Sequence, residues 1–575
     1  MKTLIVAINS KFIHSNLAVL YISAACTPEC GEIKVVEFSI NEPLLQIFSG
    51  IIRENPDIVA FSCYIWNIDM IRRLVDDLKK SNPNIVIIAG GPEVSFDDGD
   101  LPVGCVDYFV SGEGEEKFPF LLKRLNEGLP PDDTEKRWLG SYSAVTDLES
   151  LPSPYTAIKS MSMKNKIAYI EASRGCPFRC SYCISSVSRG VRYFPLSKVY
   201  QALEILVRSG SRIIKFVDRT FNANEARAME IWQHIVQYQQ QGIVFHFEID
   251  PGLLTDNMLN RLESMPVGLV QLEAGIQSVH PETLSAVERP WSIDKAFAAL
   301  QKLISFENIH VHVDLIAGLP HESYSGFLES FDRVMGIHAH QFQLGFLKLL
   351  RGSAIRAGAN LYDYKYRAYP PYEIISNRDI SCEEILKLKD IEACVELFYN
   401  SGRFALTLKV IGNHPKVKKP SDFFTSLASM MRRKGYLNRP VKANDLYGIM
   451  LAYLQQEFSF IWEEITSVMR YDYLRSLKNP SIPTCLKPKT LTAAPKHKRM
   501  ERYRTVLEEV LPRLRNQAWD AVWKQIHIDD FIFPEEAGFP RKAVIAFDFG
   551  EISPVTGLAG AHLLENTGVE PDESP

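Results

Sequence analysis

The sequence predicts an α/β protein: a doubly wound, Rossmann-like domain, then a partial (β/α)6 barrel, then a mainly α-helical carboxyl-terminal domain. Short apolar runs rich in β-branched residues alternate with helical patterns up to about residue 355, in a series of five and then a series of six. Beyond that point apolar residues recur every three or four positions, as on the amphipathic helices of a packed bundle. With 575 residues the chain exceeds what one core supports. The expected division is 1–140 for the doubly wound domain, 141–165 for a linker, 166–355 for the barrel and 356–575 for the helical extension.

The first five runs are TLIVAIN, EIKVVEFSI, DIVAFSCYIW, NIVIIAGGP and VDYFVSG, separated by helical patterns such as NIDMIRRLVDDLKK. Sheets of this kind bind ligands at the carboxyl ends of their strands, which directs attention to loops 9–16, 62–67, 90–95 and 112–115. Gly90 and Gly91 either let the backbone approach a ligand or simply make a tight turn. The stretch 128–165 is rich in Pro, Asp and Ser without a sustained apolar period, and is expected to be a linker.

The apolar strand IAYIEASRGC is expected to deliver a loop, RGCPFRCSYC, at its carboxyl end. Cys176, Cys180 and Cys183 place three thiols within eight residues. Such a loop can ligate three irons of a 4Fe–4S cube and leave the fourth open for chemistry. Buried inert thiols and a structural zinc site are the alternatives; zinc usually takes four ligands in recognisable pairs, and no CxxC or HxxxH partner pair stands elsewhere. The other seven cysteines (Cys26, Cys30, Cys63, Cys105, Cys382, Cys394 and Cys485) are scattered and form no disulfide framework, which suits a reducing compartment.

The six-repeat series adds RIIKFVD, VFHFEID, LVQLEAG, HVHVDLIAG and AHQFQLGFLKLL to the cysteine strand, each pair separated by a helical pattern. In parallel βα barrels the site lies at the carboxyl-terminal mouth, so Asp218, Arg219, Glu248, Asp250, Glu273, Gln277, Asp314 and Gly318 are the informative strand-end residues. In the last third, YEIISNRDISCEEILKLKDIEACVELFYN suggests a strand and a helix, and three long helical patterns follow. A Lys- and Pro-rich loop, KNPSIPTCLKPKTLTAAPKHKR, interrupts them; RKAVIAFDFG suggests a late strand or hairpin, and GVEPDESP a disordered tail.

Composition narrows the function. Apolar content of 46% and charged content of 23% are those of a globular protein, and a net charge of −5 offers no field for nucleic acid. No apolar run approaches the roughly 20 residues of a membrane span, and the first apolar run is too short for a secretory signal, so a cytoplasmic location is expected.

The CxxxCxxC loop with an aromatic before its last Cys, followed in order by FVDRTFN, FEIDPG, QLEAGIQSVHPETLSAVERP and VDLIAGLPHES, resembles the core of the radical S-adenosylmethionine (SAM) enzymes. The resemblance implies that Cys176, Cys180 and Cys183 hold a 4Fe–4S cluster and that SAM chelates its open iron. It further implies that Tyr182, Asp218, Glu248, Glu273, Gln277, Ile316 and Gly318 lie around SAM. Over residues 1–140, IIAGGPEVSF followed by DYFVSGEGEEKFPFLL resembles the cobalamin-binding domain that precedes the barrel in one group of these enzymes. This implies that Asn9, Ser62, Gly90, Gly91, Gly112 and Glu113 line a corrin. The DxHxxG motif that supplies a His to cobalt in many cobalamin proteins is absent; His14, the only His before residue 200, is expected to be a surface or turn residue.

The expected function is therefore reductive cleavage of SAM to start radical chemistry on an unactivated carbon of a small-molecule or peptide substrate, most simply a cobalamin-dependent C-methylation, with a one-electron donor such as flavodoxin or ferredoxin as partner. The alternatives are a radical SAM oxidoreductase or rearrangement enzyme without bound cobalamin, and a non-enzymatic iron–sulfur or zinc sensor or scaffold. A methylthiotransferase is disfavoured, because Cys26, Cys30, Cys63 and Cys105 do not reproduce the second cluster motif of that group. The carboxyl-terminal third resembles an uncharacterised extension, for which a lid or substrate domain is expected from its position.

Overall fold

The computed structural model describes residues 1–129, 142–160, 163–188, 190–289, 292–476, 481–488, 496–515 and 517–566. Parts of the expected linker and of the Lys- and Pro-rich loop, and the whole tail GVEPDESP, lie outside the described residues. The chain divides into two compact units: Met1–Ile309 with Ile316–Ser323 and Gly345–Cys382, and His310–Leu315 with Tyr324–Leu344 and Glu383–Pro575.

All five amino-terminal runs form strands: β1 (Lys2–Asn9), β2 (Glu32–Ser39), β3 (Ile58–Ser62), β4 (Val86–Gly90) and β5 (Tyr108–Val110). They form a parallel sheet of order β2-β1-β3-β4-β5. The near-continuous apolar character of LIVAI follows from burial on both faces. Leu4, Val6 and Ile8 pack with Ile47, Ile51, Ile71 and Leu74 of helices Leu44–Arg53 and Ile68–Ser81, whereas Ile5 and Ala7 pack with Val19, Phe118 and Leu122 of helices Leu17–Ala25 and Lys117–Asn126. Helices on both faces leave the strand ends as the open edge of the sheet.

The cysteine strand departs from expectation. It breaks into β6 (Ile167–Ile170) and β7 (Ser173–Cys176), and β7 leaves the main sheet to pair antiparallel with β8 (Gly190–Tyr193). Cys176 thus ends a hairpin strand and faces Gly190 across it. Gly175 makes the hairpin possible: its φ is +91°, and a Cβ there would fall on the carbonyl oxygen of Gly190.

The series continues with β9 (Ile213–Phe216), β10 (Val244–Ile249), β11 (Val270–Gln277), β12 (His310–Ala317) and β13 (Gln341–Phe346). Among the described residues of the first unit, β6, β9, β10 and β11 are neighbours in that order and run parallel. A small antiparallel pair, β14 (Lys365–Tyr366) and β15 (Ile374–Ser376), follows.

The second unit contains more sheet than its sequence suggests. IHIDDFI, KAVIAFDFGEI and AGAHLLEN form β16 (Ile526–Ile532), β17 (Lys542–Ile552) and β18 (Ala559–Asn566), an antiparallel sheet with β17 in the middle. Phe531, Ile545 and Phe547 pack against Val468, Tyr471 and Leu474 of helix Trp462–Ser476, while Ile528, Val544 and Ala546 pack against Tyr503, Leu507 and Val522. Burial of both faces makes the middle strand continuously apolar and hides the alternation that would mark it. The second of the three long helical patterns forms two helices, Ala443–Glu457 and Trp462–Ser476, because Phe458 turns extended at the first helix's end.

A cavity shared by the sheet edge and the cysteine hairpin

The open edge of the first sheet lines a cavity of about 650 Å³ within the first unit, a size typical of small-molecule and cofactor sites. Asn9, Ser62, Gly90, Gly91, Gly112 and Glu113, the six residues expected along a corrin, all line it. So do Ser173, Arg174 and Gly175 of the cysteine hairpin and Ser185 and Ser188 beyond Cys183. Asn67 stiffens the loop after β3, its Nδ2 donating to the carbonyls of Ile8 and Ser62 and its Oδ1 accepting from Tyr64 N–H. That loop presents Tyr64 and Trp66 to the cavity as a stacked pair with centroids 4.4 Å apart. Gly91 has φ +108°, and a Cβ there would lie 2.6 Å from the carbonyl oxygen of Cys63; packing between neighbouring loops requires this glycine.

Charge joins the two parts of the cavity wall. Arg174 meets three carboxylates, Glu115 at 2.6 Å, Glu171 at 3.0 Å and Glu113 at 3.2 Å, and lies over the rings of Tyr21 and Phe194. Arg192 of β8 binds Glu113 as well. Burial alone would raise the Glu113 pKa, but Arg192 and Arg174 hold it below its ordinary value. Glu171 goes the other way, because its burial outweighs Arg174. Neither Arg174 nor Arg192 was singled out from sequence; only the Arg before Gly175 in the cysteine motif could have drawn attention to the first.

His14, expected to be a surface or turn residue, closes a turn, its N–H donating to the carbonyl of Lys11 at 3.2 Å. It is half-buried and lines the cavity, with Nδ1 2.6 Å from the hydroxyl of Tyr169 on β6. Burial, then Lys11 and Lys215, lowers its pKa.

Around the thiols, Cys180 is buried, while Cys176 and Cys183 are partly exposed. Thr220 Oγ1 lies 3.4 Å from Cys176 Sγ. Arg289, also not foreseen, donates to Cys180 Sγ at 3.6 Å, to the carbonyl of Gly275 at 2.8 Å and to Asp250 at 3.3 Å. It thereby ties the cysteine loop to the ends of β10 and β11. Burial raises the Tyr182 pKa against the opposing charge of Arg289.

The other expected SAM residues divide by geometry. Glu248 and Glu273 are register partners on β10 and β11, and Glu273 binds His246 at 3.0 Å. Gln277 ends β11 at φ +70° with its Oε1 buried and unpartnered. Gly318, at φ +89°, accepts hydrogen bonds at its carbonyl from Tyr364 and Asn377, and Ile316 is partly exposed on β12. Asp218 is occupied by the protein itself: Ala172 N–H and Ser173 Oγ donate to its two carboxylate oxygens, pinning the β6–β7 turn. Burial pushes its pKa up to about 7, partly offset by those two donors.

Residues 3–122 match the B12 binding domain, residues 170–334 the radical SAM superfamily, and residues 360–540 a family described as a protein of unknown function, DUF4080. The cobalamin-dependent radical SAM methyltransferase TokK of Streptomyces tokunonensis is 26% identical over 340 residues, covering 53% of this chain and 49% of TokK. The chain thus spans about half the length of that relative. Among solved structures, the cobalamin-dependent SAM radical enzyme OxsB, with aqua-cobalamin and SAM bound, superposes with a TM-score of 0.54 at 13% identity over 90% of this chain and 82% of OxsB. The methyltransferase TsrM of Kitasatospora setae, with cobalamin and a 4Fe–4S cluster bound, gives 0.51 at 15% identity over 65% of this chain and 79% of TsrM.

These families imply a 4Fe–4S cluster, SAM and cobalamin, and the residues present fit them. Three thiols share one short loop, a buried amide oxygen without a partner stands at a strand end of the adjoining sheet, and a cavity of cofactor size opens along the first sheet. Within this chain, a region that matches the B12 binding domain thus precedes a region that matches the radical SAM superfamily.

Proposed function

We propose that this protein is a radical SAM enzyme that uses cobalamin to methylate an unactivated carbon, with residues 1–140 as the cobalamin region, 141–165 as the linker, 166–355 as a partial barrel around SAM and 356–575 as an extension of the kind seen in the third matched family. One observation carries the reading: a single cavity is lined both by the strand ends of the amino-terminal sheet and by the hairpin that bears the thiols. When bound, the cluster and SAM supply one-electron cleavage of a carbon–sulfur bond, and cobalamin supplies a transferable methyl group.

The chain's own residues do the positioning. Cys176, Cys180 and Cys183 would hold the cluster, with Thr220 and Arg289 orienting two of the thiols. Tyr182, Glu248, Glu273, Gln277, Ile316 and Gly318 would bound the SAM side, and Gln277 offers an acceptor that the protein leaves unused. Asp218 acts there indirectly, by fixing the turn into β7. Asn9, Ser62, Gly90, Gly91, Gly112 and Glu113 would line the corrin. A reduced flavodoxin or ferredoxin would supply electrons, and a reducing, cytoplasmic setting suits the scattered free thiols. No helix of the described residues is long and apolar enough to cross a membrane.

Anaerobic reconstitution with iron, sulfide and hydroxocobalamin, followed by gel filtration and assay of SAM cleavage products under reduction, tests the proposal. Corrin and cluster are expected to be retained and SAM consumed; a metal-loaded protein that never cleaves SAM would overturn it. Cys176→Ala is expected to abolish cluster absorbance and SAM cleavage while corrin is retained, since Cys176 does not line the cavity.

A further inference from the structure

We propose that the imidazole of His14 is an axial ligand to the cobalt of the bound corrin, with Tyr169 holding the ring in place. The inference rests on the cobalamin reading above. Among the side chains that line the cavity, His14 carries the only imidazole, and cobalt in a corrin readily accepts a nitrogen base. The lining carboxylates Glu113, Glu115 and Glu171 are engaged by Arg174, so they are not free to compete.

The ring is set up as metal-binding imidazoles usually are. A ligating His donates its second ring N–H to an oxygen, which fixes the tautomer and orientation. Here the Nδ1···Tyr169 hydroxyl distance is 2.6 Å; with Nδ1–H donating to the phenol oxygen, Nε2 carries the free lone pair. Among the described residues Nε2 has no hydrogen-bond partner.

The backbone is equally constrained. Ile167 N–H donates to the carbonyl of Ile13 at 2.7 Å and Ser15 Oγ to the carbonyl of Ile167 at 3.1 Å, so loop 9–16 is laced to β6 on both sides of His14. Asn9 Nδ2, at the end of β1, donates to the carbonyl of His14 at 3.3 Å. The histidine therefore stands in the loop after the first strand without the DxHxxG spacing. Its ring partner comes from a strand of the second sheet, about 150 residues away in sequence.

The test uses the full-length protein reconstituted with cobalamin and reduced to the paramagnetic cob(II)alamin state. Its electron paramagnetic resonance spectrum is expected to show each cobalt line split into a triplet by one nitrogen. The splitting should become a doublet in protein grown with histidine carrying the spin-one-half nitrogen isotope, and should vanish in His14→Ala with corrin still bound. A triplet unchanged by histidine labelling, a spectrum without nitrogen splitting, or a splitting that survives in His14→Ala would overturn the proposal. The labelling is done on the unaltered chain, so it decides even where the variant folds poorly. Wild-type protein that retains no corrin would overturn the cobalamin reading and this inference together, whereas retained corrin without histidine coupling would overturn this inference alone.

Discussion

Replacing Arg174 with Met keeps most of the aliphatic volume but removes the charge that three buried carboxylates share. Glu113 keeps Arg192, whereas Glu115 and Glu171 lose the cation that meets them at 2.6 and 3.0 Å. These side chains are 7% and 18% exposed, so water replaces the lost partner only in part. Removing one member of a buried charge network typically costs about 3–5 kcal/mol. In a unit of this size that corresponds to a fall of roughly 4–7 °C in melting temperature. Because Arg174 also lines the cavity and leads directly into Cys176, the loosened hairpin should lower corrin retention and cluster content together. The assay is thermal unfolding, with iron, sulfide and corrin analysis of the reconstituted protein. Adding Glu115→Gln removes one stranded charge and should recover part of the loss. An Arg174→Met protein that melts like the wild type, or a double variant no more stable than the single one, would refute the reasoning.

Two further outcomes are expected. Arg289→Gln should lower the iron and sulfide bound per chain several-fold, because it loses the charged contact to Cys180 and the tie to Asp250; unchanged cluster content would show that the cysteine loop holds itself. Asp472, buried in the second unit, accepts from Leu406 N–H, Thr407 N–H and Thr407 Oγ, and burial raises its pKa to about 6 against the effect of those donors. Its charged form therefore costs stability above about pH 6, and the cost fades as pH falls toward its ordinary value near 3.8. Asp472→Asn should strand one donor at about 1–3 kcal/mol. It should also flatten the difference in denaturant stability between about pH 6 and 4; a difference curve with no pH dependence there would contradict the assignment.

The sequence by itself determined the parallel sheets, the position of the cysteine loop and the strand-end loops that supply six of the residues lining the cavity, because these depend on local signals. Strands buried on both faces spell continuous apolar runs, loops at their carboxyl ends are short and polar, and three thiols within eight residues are legible without any partner. Tertiary structure alone decided the rest. Arg174, Arg192, Arg289 and Thr220 act on residues remote in sequence, and a lone charged or hydroxyl side chain carries no sign of what it will meet. Asp218 had the right place at a strand end, yet its two acceptor oxygens face donors of the neighbouring turn, which periodicity does not reveal. His14 had no motif around it, and its environment depends on a tyrosine from another sheet. Local pattern sets which elements form and which ends they expose, but side-chain pairing across the chain is fixed only when packing brings distant charges out of water together.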